Sequence, residues 1–440
     1  MSSVSKKVVY LKDNQIAEIR KNAIHMVDFD GNEQPIEFDK VTWSLESSQK
    51  NGYDHFMKKE IYEQPNVIRR ILDEYVGENS ISFGSLKNSA IKFQDITRMI
   101  IQACGTSWHA GLIGKYLIED LARVPTEVDI SSEFRYRRLL SNSNEIVVAI
   151  SQSGETADTL ACIREAKSKF FEVMSFVNVV GSSIDRESDA VIYTNSGPEI
   201  GVASTKNYVA QIVNIFLFSL YLSRHKGTVS DEEMVDHLNH LSMIPTMIEK
   251  ILTMDSRISQ IAERFVESKS FLFIGRGLNF PTALEGALKL KEISYIHATG
   301  YAAGELKHGP IALIDEHLPV VCIAPQTQNY EKMMSNIEEV KARGGQLIIV
   351  GTEGDTNLSQ FSDAVIYIPK TINALSPILS VIPLQMLAYH IALKLGCDVE
   401  RSSSRSGLEV VVLYILYINH YTMLLLLQTH KSIVRIYRHS

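Results

Sequence analysis

Cysteine is scarce in this sequence, basic charge is not in excess, and no apolar leader opens it. The four cysteines among 440 residues (Cys104, Cys162, Cys322 and Cys397) lie far apart, with no CxxC or Cys/His spacing. A zinc site or a disulfide framework is therefore not expected, and neither a metal nor a cofactor is. Each thiol sits among apolar residues and reads as a buried free cysteine. A formal net charge of −7 argues against sequence-independent nucleic-acid binding, which would need a basic face for phosphates. The start, MSSVSKKVVYLKDNQ, has no apolar signal region, so the cytosol is the expected compartment. What remains is ordinary globular material, 45% apolar and 22% charged, long enough for two or three domains.

The strongest organising signal is an internal duplication. Ser188-Asp189-Ala190-Val191-Ile192-Tyr193 recurs letter for letter as Ser362-Asp363-Ala364-Val365-Ile366-Tyr367, 174 positions later. Apolar runs line up around it at nearly the same offset: Met99–Ala103 with Phe271–Ile274, Ile146–Ile150 with Val320–Ala324, and Phe176–Val180 with Leu347–Val350. Runs of four or five apolar residues without alternation suit strands buried on both faces of a parallel sheet. Helix-like stretches such as Ala157–Lys169 and Glu331–Arg343 lie between them. Strand, polar loop, helix, strand is the grammar of a doubly wound α/β domain, so two duplicated domains of that class are predicted. The first residues, up to about 75, read as a pair of β-hairpins turning at Asp13-Asn14 and Asp30-Gly31, too little for a domain alone.

Ligands of such sheets bind at the carboxyl ends of the strands, where helix N-termini present free N–H groups. Ser151-Gln152-Ser153-Gly154-Glu155-Thr156 occupies that place after IVVAI. Alone it could be simple N-capping by Ser or Thr. Two further hydroxyl-bearing loops, Cys104-Gly105-Thr106-Ser107 and Gly201-Val202-Ala203-Ser204-Thr205-Lys206, shift the balance toward a phosphorylated small ligand. The second copy has Pro325-Gln326-Thr327-Gln328 instead, poorer in small hydroxyls, and should not bind phosphate the same way. Its helix carries Lys289 and Glu292, i and i+3 on one face: a surface ion pair or a proton-transfer pair. His308, in Gly304-Glu305-Leu306-Lys307-His308-Gly309-Pro310, is either structural or an acid–base group in a rigid loop.

Taken together, CGTSWHAG, SSEFRYR, SQSGETADTL, EIGVASTK, ALEGALKLKEISYIHATGYAAGELKHGP and VIPLQMLAYHIAL resemble the glutamine–fructose-6-phosphate aminotransferase family, from roughly residue 50 to Val399. SQSGET alone indicates only a sugar-isomerase (SIS) domain, whereas GELKHGP and EIGVASTK narrow the match. The resemblance implies two SIS domains, at 81–235 and 245–399, after a 48–80 linker and a 1–47 remnant of a glutaminase domain. It implies that ammonia replaces the C2 oxygen of fructose 6-phosphate and that isomerisation gives glucosamine 6-phosphate. By the same resemblance Ser151, Gln152, Ser153 and Thr156 hold the phosphate, with Thr106 and Ser107 nearby, and Val202, Ala203 and Ser204 line the sugar. Glu292 would move a proton between C1 and C2, Lys289 would tune it, and His308 would assist ring opening from a partner subunit, implying at least a dimer. The eukaryotic flavour of Asn178-Val179-Val180-Gly181-Ser182-Ser183 implies UDP-N-acetylglucosamine as a feedback inhibitor; its plain alternative is a strand followed by a turn.

The sequence departs from that family at both ends. No cysteine precedes Cys104 to serve as the glutaminase nucleophile, so glutamine hydrolysis would need a separate glutaminase chain, or free ammonia. After Asp398-Val399 the family's lysine-bearing PRNLAKSVTVE segment is replaced by an aberrant tail, 400–440, in which Lys431 sits in no matching motif. Its apolar run Val410–Leu427 is interrupted at Asn419–Thr422, marginal for a membrane span, and a shifted reading frame explains the lost pattern better. An inactive sugar-phosphate-binding paralogue, or a fragment of a split gene, stays open beside the enzyme. A SIS-type transcription regulator would need a helix-turn-helix that residues 1–75 do not show.

Overall fold

The architecture comes from a computed structural model that describes residues 7–10, 14–20, 23–37, 39–40 and 49–400 (apart from 79, 88, 141–142 and 363), plus short strands at 414–415, 425–427 and 433–436. Two compact units emerge, 53–402 and a second one made of 1–52 with 403–440. In the latter, β1 (Lys7–Tyr10), β2 (Gln15–Arg20), β3 (Ala23–Asp28) and β4 (Asp39–Lys40) form the N-terminal part. The antiparallel hairpin is β2–β3, with Arg20 opposite Ala23, a pair that neither expected turn connects. Asp30-Gly31 instead makes a tight return, with Gly31 at φ +88° and the Asp28 carboxylate accepting the N–H groups of Asp30 and Asn32. Most of the run Val410–Leu427 lies outside the described residues.

The large unit opens with α1 (Phe56–Tyr75), where the sequence had suggested only a linker. A first domain follows: β5 (Arg98–Ala103), α2 (Gly105–Leu117), β6 (Thr126–Ile130), α3 (Ser131–Phe134), β7 (Glu145–Ser151), α4 (Ala157–Ser168), β8 (Glu172–Val177), α5 (Ser183–Glu187), β9 (Ala190–Tyr193) and α6 (Lys206–Lys226). Helix α7 (Asp231–Leu252), closed at its start by a Ser230/Glu233 capping box, leads to α8 (Asp255–Glu263) and the second domain. That domain runs β10 (Ser270–Gly275), α9 (Asn279–Ser294), β11 (His297–Ala302), β12 (Pro319–Ala324), α10 (Tyr330–Ala342), β13 (Gln346–Thr352), β14 (Ala364–Ile368) and α11 (Ser376–Lys394). Short strands β15 (Tyr414–Ile415), β16 (Leu425–Leu427) and β17 (Ile433–Ile436) complete the chain, β16 pairing with β1 and β17 with β2.

The two sheets have the same order, β6-β5-β7-β8-β9 and β11-β10-β12-β13-β14, and every pairing in both is parallel. The repeated AVIY letters are the edge strands β9 and β14, equivalent positions in the two copies. One expected strand ends early: the apolar run predicts strand over Phe176–Val180, but β8 ends at Val177. At Asn178 the side chain donates to Gly197 O (2.8 Å) and accepts from Ser196 N (3.0 Å), which turns the chain out of the sheet.

The largest hydrophobic core runs through both domains, from Met99 and Phe218 to Phe273 and Ile382, and each domain has a smaller second one, around Ile349 and around Val147. Helix α11 meets the length and hydropathy expected of a membrane span, yet 94% of that window is buried inside the protein, so it serves as a core helix. It packs on α9 where Gly286 lets the helices close: a Cβ there would lie 2.7 Å from Leu384 Cδ1 and 3.0 Å from the Phe273 ring. Gly286→Val is expected to cost about 1–3 kcal/mol by overpacking, read as a lowered denaturant midpoint at constant slope.

Candidate active site

Parallel strands end where helices begin, and in the first domain two neighbouring strands, β5 and β7, end in hydroxyl-rich loops. After β7, Ser151 Oγ accepts from Gly154 N at 3.1 Å and lies 3.1 Å from Thr156 Oγ1, while Ser153 Oγ accepts from Glu155 N at 3.2 Å. Gly154 is required here: its φ is +68°, and a Cβ would lie 2.0 Å from Ser182 Oγ. The loop thus curls its backbone in front of α4, with Gln152 and Ser153 on its half-exposed rim. After β5, Gly105 at φ +54° starts α2 at once and puts Thr106 and Ser107 in the first helical turn. Ser107 Oγ accepts from Gln211 Nε2 of α6 at 2.9 Å, which ties this loop to the helix that follows Val202, Ala203 and Ser204.

The second domain meets the first here through α9. Glu285, Lys289 and Glu292 stand at i, i+4 and i+7, one stripe of that helix. Lys289 and Glu285 have no exposed side-chain surface, whereas Glu292 is 34% exposed. Lys289 Nζ lies 2.6 Å from Glu292 Oε2 and 3.3 Å from Glu285 Oε1, and donates to Thr106 Oγ1 at 3.1 Å. The Thr106 hydroxyl in turn donates to Glu285 Oε1 (3.1 Å), and His109 Nδ1 lies 2.7 Å from Glu285 Oε2. Loop and helix from different domains therefore share one buried polar network.

Its electrostatics are self-consistent. Burial works against the Glu285 charge, but Lys289, His109 and Thr106 outweigh it, and the carboxyl lies below its usual range. Burial likewise opposes the Lys289 charge, yet Glu285 and Glu292 more than compensate and the ammonium is held well above its ordinary value. The charge of Glu199, just before the third loop, adds to that hold.

The surface ion pair that i, i+3 spacing allowed for Lys289 and Glu292 is thus excluded on the lysine side: Lys289 is interior. Glu285 and His109 were not singled out in the sequence, although their spacing to Lys289 (i−4) and Thr106 (i+3) was legible. His308 stands exposed at the end of the turn Ala303–His308 after β11 and is not joined to the network within this chain. Lys289→Met would strand Glu285 in the interior. A loss of about 3–5 kcal/mol in unfolding free energy by chemical denaturation is expected at neutral pH.

Comparison with known proteins bears on the family and the fold. The SIS domain model matches residues 92–220 and 264–395. Glutamine–fructose-6-phosphate aminotransferase [isomerizing] of Chlorobaculum tepidum is 48% identical over 397 residues, covering 90% of this chain and 64% of that protein. Its counterpart in Clostridium tetani is 46% identical over 399 residues, covering 90% and 66%. The chain thus spans a little under two thirds of the length of these curated relatives. Among solved structures, the C-terminal domain of glucosamine-fructose-6-phosphate aminotransferase from Francisella tularensis superposes with a TM-score of 0.76 at 41% identity, covering 80% of this chain and 99% of that one. Tagatose-6-phosphate ketose/aldose isomerase from Escherichia coli, at 16% identity and a TM-score of 0.62, shares the fold alone. With two matched domains in tandem, this chain belongs to the SIS domain family, and it is similar to the C-terminal part of the glutamine–fructose-6-phosphate aminotransferases.

Proposed function

We propose that residues 53–400 carry the sugar end of glutamine–fructose-6-phosphate aminotransferase chemistry, converting fructose 6-phosphate and ammonia to glucosamine 6-phosphate. In this reading the sugar phosphate sits on Ser151, Gln152, Ser153 and Thr156 at the start of α4, where backbone N–H groups and the helix dipole favour an anion. Thr106 and Ser107 flank it, and Val202, Ala203 and Ser204 line the sugar. One observation carries the reading: in the acidic stripe of α9, Glu285 is sealed inside while Glu292 reaches solvent, held by a buried ammonium 2.6 Å away. A carboxylate so oriented is equipped to take a proton from C1 of a C2 imine and return it to C2, with Lys289 fixing its direction and charge. His308, exposed in this chain, fits a role in ring opening across a subunit interface, which makes a dimer part of the proposal.

The test uses the purified chain with fructose 6-phosphate and ammonium, and separately with glucose 6-phosphate, following sugar interconversion. Glu292→Gln is expected to lower turnover by about 10²–10⁴-fold with binding retained. Wild-type binding without turnover, indifferent to that substitution, would instead identify a sugar-phosphate-binding paralogue.

UDP-N-acetylglucosamine binding at Asn178–Ser183 is a second proposal, resting on the resemblance of that stretch. Ser182 there caps α5 by accepting from Asp185 N, and Asn178 is bonded within the loop, as a plain strand-to-turn segment would be. Calorimetric heat on titrating the nucleotide sugar supports the site, and none at millimolar ligand removes it.

A further inference from the structure

The loop carrying Val202, Ala203 and Ser204 is clamped at both ends by groups outside it. At its far end Thr205 O accepts from Gln385 Nε2 of α11 (3.3 Å), and Gln385 Oε1 in turn accepts from Gln64 Nε2 of α1 (2.8 Å). Within the loop the Glu199 carboxylate accepts from Thr205 N (2.9 Å), Asn207 N (3.2 Å) and Ser204 Oγ (2.8 Å). At the near end Glu60 Oε1 accepts from Ile200 N at 2.6 Å and Gly201 N at 3.1 Å, and Gly201 N lies 3.2 Å from Oε2.

Glu60 belongs to α1, before the first matched SIS segment, and is only 2% exposed. The contact has been made possible by a missing side chain: a Cβ at Gly201 would lie 2.5 Å from Glu60 Oε2. The neighbouring cations point elsewhere. Lys206, at the start of α6, pairs with Glu63 at 2.8 Å, and Lys59 pairs with the same carboxylate at 3.3 Å. Glu60 is therefore a buried carboxylate whose bonded partners here are the two amides that begin the loop, facing a second carboxylate, Glu199.

We propose that Glu60 is a positioning residue for the sugar-lining loop, a latch from α1 that sets where Val202, Ala203 and Ser204 stand by holding the N–H groups of Ile200 and Gly201. This rests on the reading of those three residues as the sugar wall. The latch is sensitive to pH. Burial first, then the Glu199 charge, push the Glu60 carboxyl from its usual 4.5 up to about 7, against the opposing pull of Ile200 N–H, Gly201 N–H and Lys206. A carboxyl raised in the folded state contributes its full stability below the unfolded value, near 4.5, and loses it as pH rises through about 7. Ionised Glu60 then stands against Glu199 across the loop, and release relieves that repulsion.

Hydrogen exchange of the amides at 200 and 201 in the full chain, corrected for intrinsic rates at about pH 6 and about pH 8, tests this without any sugar. Wild type should lose roughly tenfold in protection at the higher pH, a change equivalent to one unit of the carboxyl's shift. Glu60→Gln, which keeps a carbonyl acceptor but never charges, should flatten that dependence. Glu60→Ala should leave the amides unprotected at both pH values. The affinity of the same proteins for fructose 6-phosphate, by calorimetry, should fall about tenfold in Glu60→Ala, while Glu60→Gln at the higher pH binds no worse than wild type. Unchanged protection in Glu60→Ala, or a wild-type pH dependence in Glu60→Gln, overturns the latch; should Glu60→Ala fail to fold, Glu60→Gln decides alone. Protection that responds while affinity does not overturns the positioning role. A wild type that binds no sugar sinks the functional reading, and the exchange data still decide the latch.

Discussion

An ammonium group with no route to water keeps its charge only where carboxylates meet it, and Lys289 imposes that condition on this structure. The two carboxylates it needs sit one helical turn away on either side, Glu285 inside and Glu292 toward solvent. Glu285 in turn needs more than one donor, which it finds in Thr106 and His109 across the domain boundary. The first domain's opening loop and the second domain's first helix are thereby held in one register. The same contacts that meet the buried charges fix where Glu292 points.

Around that network the duplicated sheets provide a rigid floor. Each places its loops at the carboxyl edge, but the copies have diverged. The first keeps Ser, Thr and Gly where an anion would sit, and the second contributes α9. The large unit depends on both, because α9 and α11 of the second domain and α1, α2 and α6 around the first share one core. Helix α1 belongs to neither repeat, yet it braces the loop of Val202, Ala203 and Ser204 through Glu60 and Gln64.

The buried strands were legible because they are continuous apolar runs, and β5, β7, β10, β12 and β13 fall on five of them. At the edges, β9 and β14 carry the repeated AVIY letters, but the opposite edge strands gave no such signal. β6 (TEVDI) and β11 (HATGYA) carry polar residues and small ones, since an edge strand covered on one side needs no apolar run. Asn178 was drawn into a strand by its apolar neighbours, because sequence does not show that its amide is spent on the loop at Ser196 and Gly197. The hydroxyl loops and the Lys289/Glu292 pair could be picked out by residue type. Glu285, His109 and Glu60 could not be weighed without knowing what packs against them, since a carboxylate on an amphipathic helix reads as solvated until a neighbouring helix covers it.

The central claim is that buried Lys289 and Glu285 are energetically one unit spanning the two domains. A double-mutant cycle of Lys289→Met and Glu285→Gln, scored by denaturant unfolding of the full chain, measures that directly. Each single substitution should destabilise strongly and the double much less than their sum, with a coupling of about 2–3 kcal/mol. Additive losses, with a coupling near zero, would contradict the account.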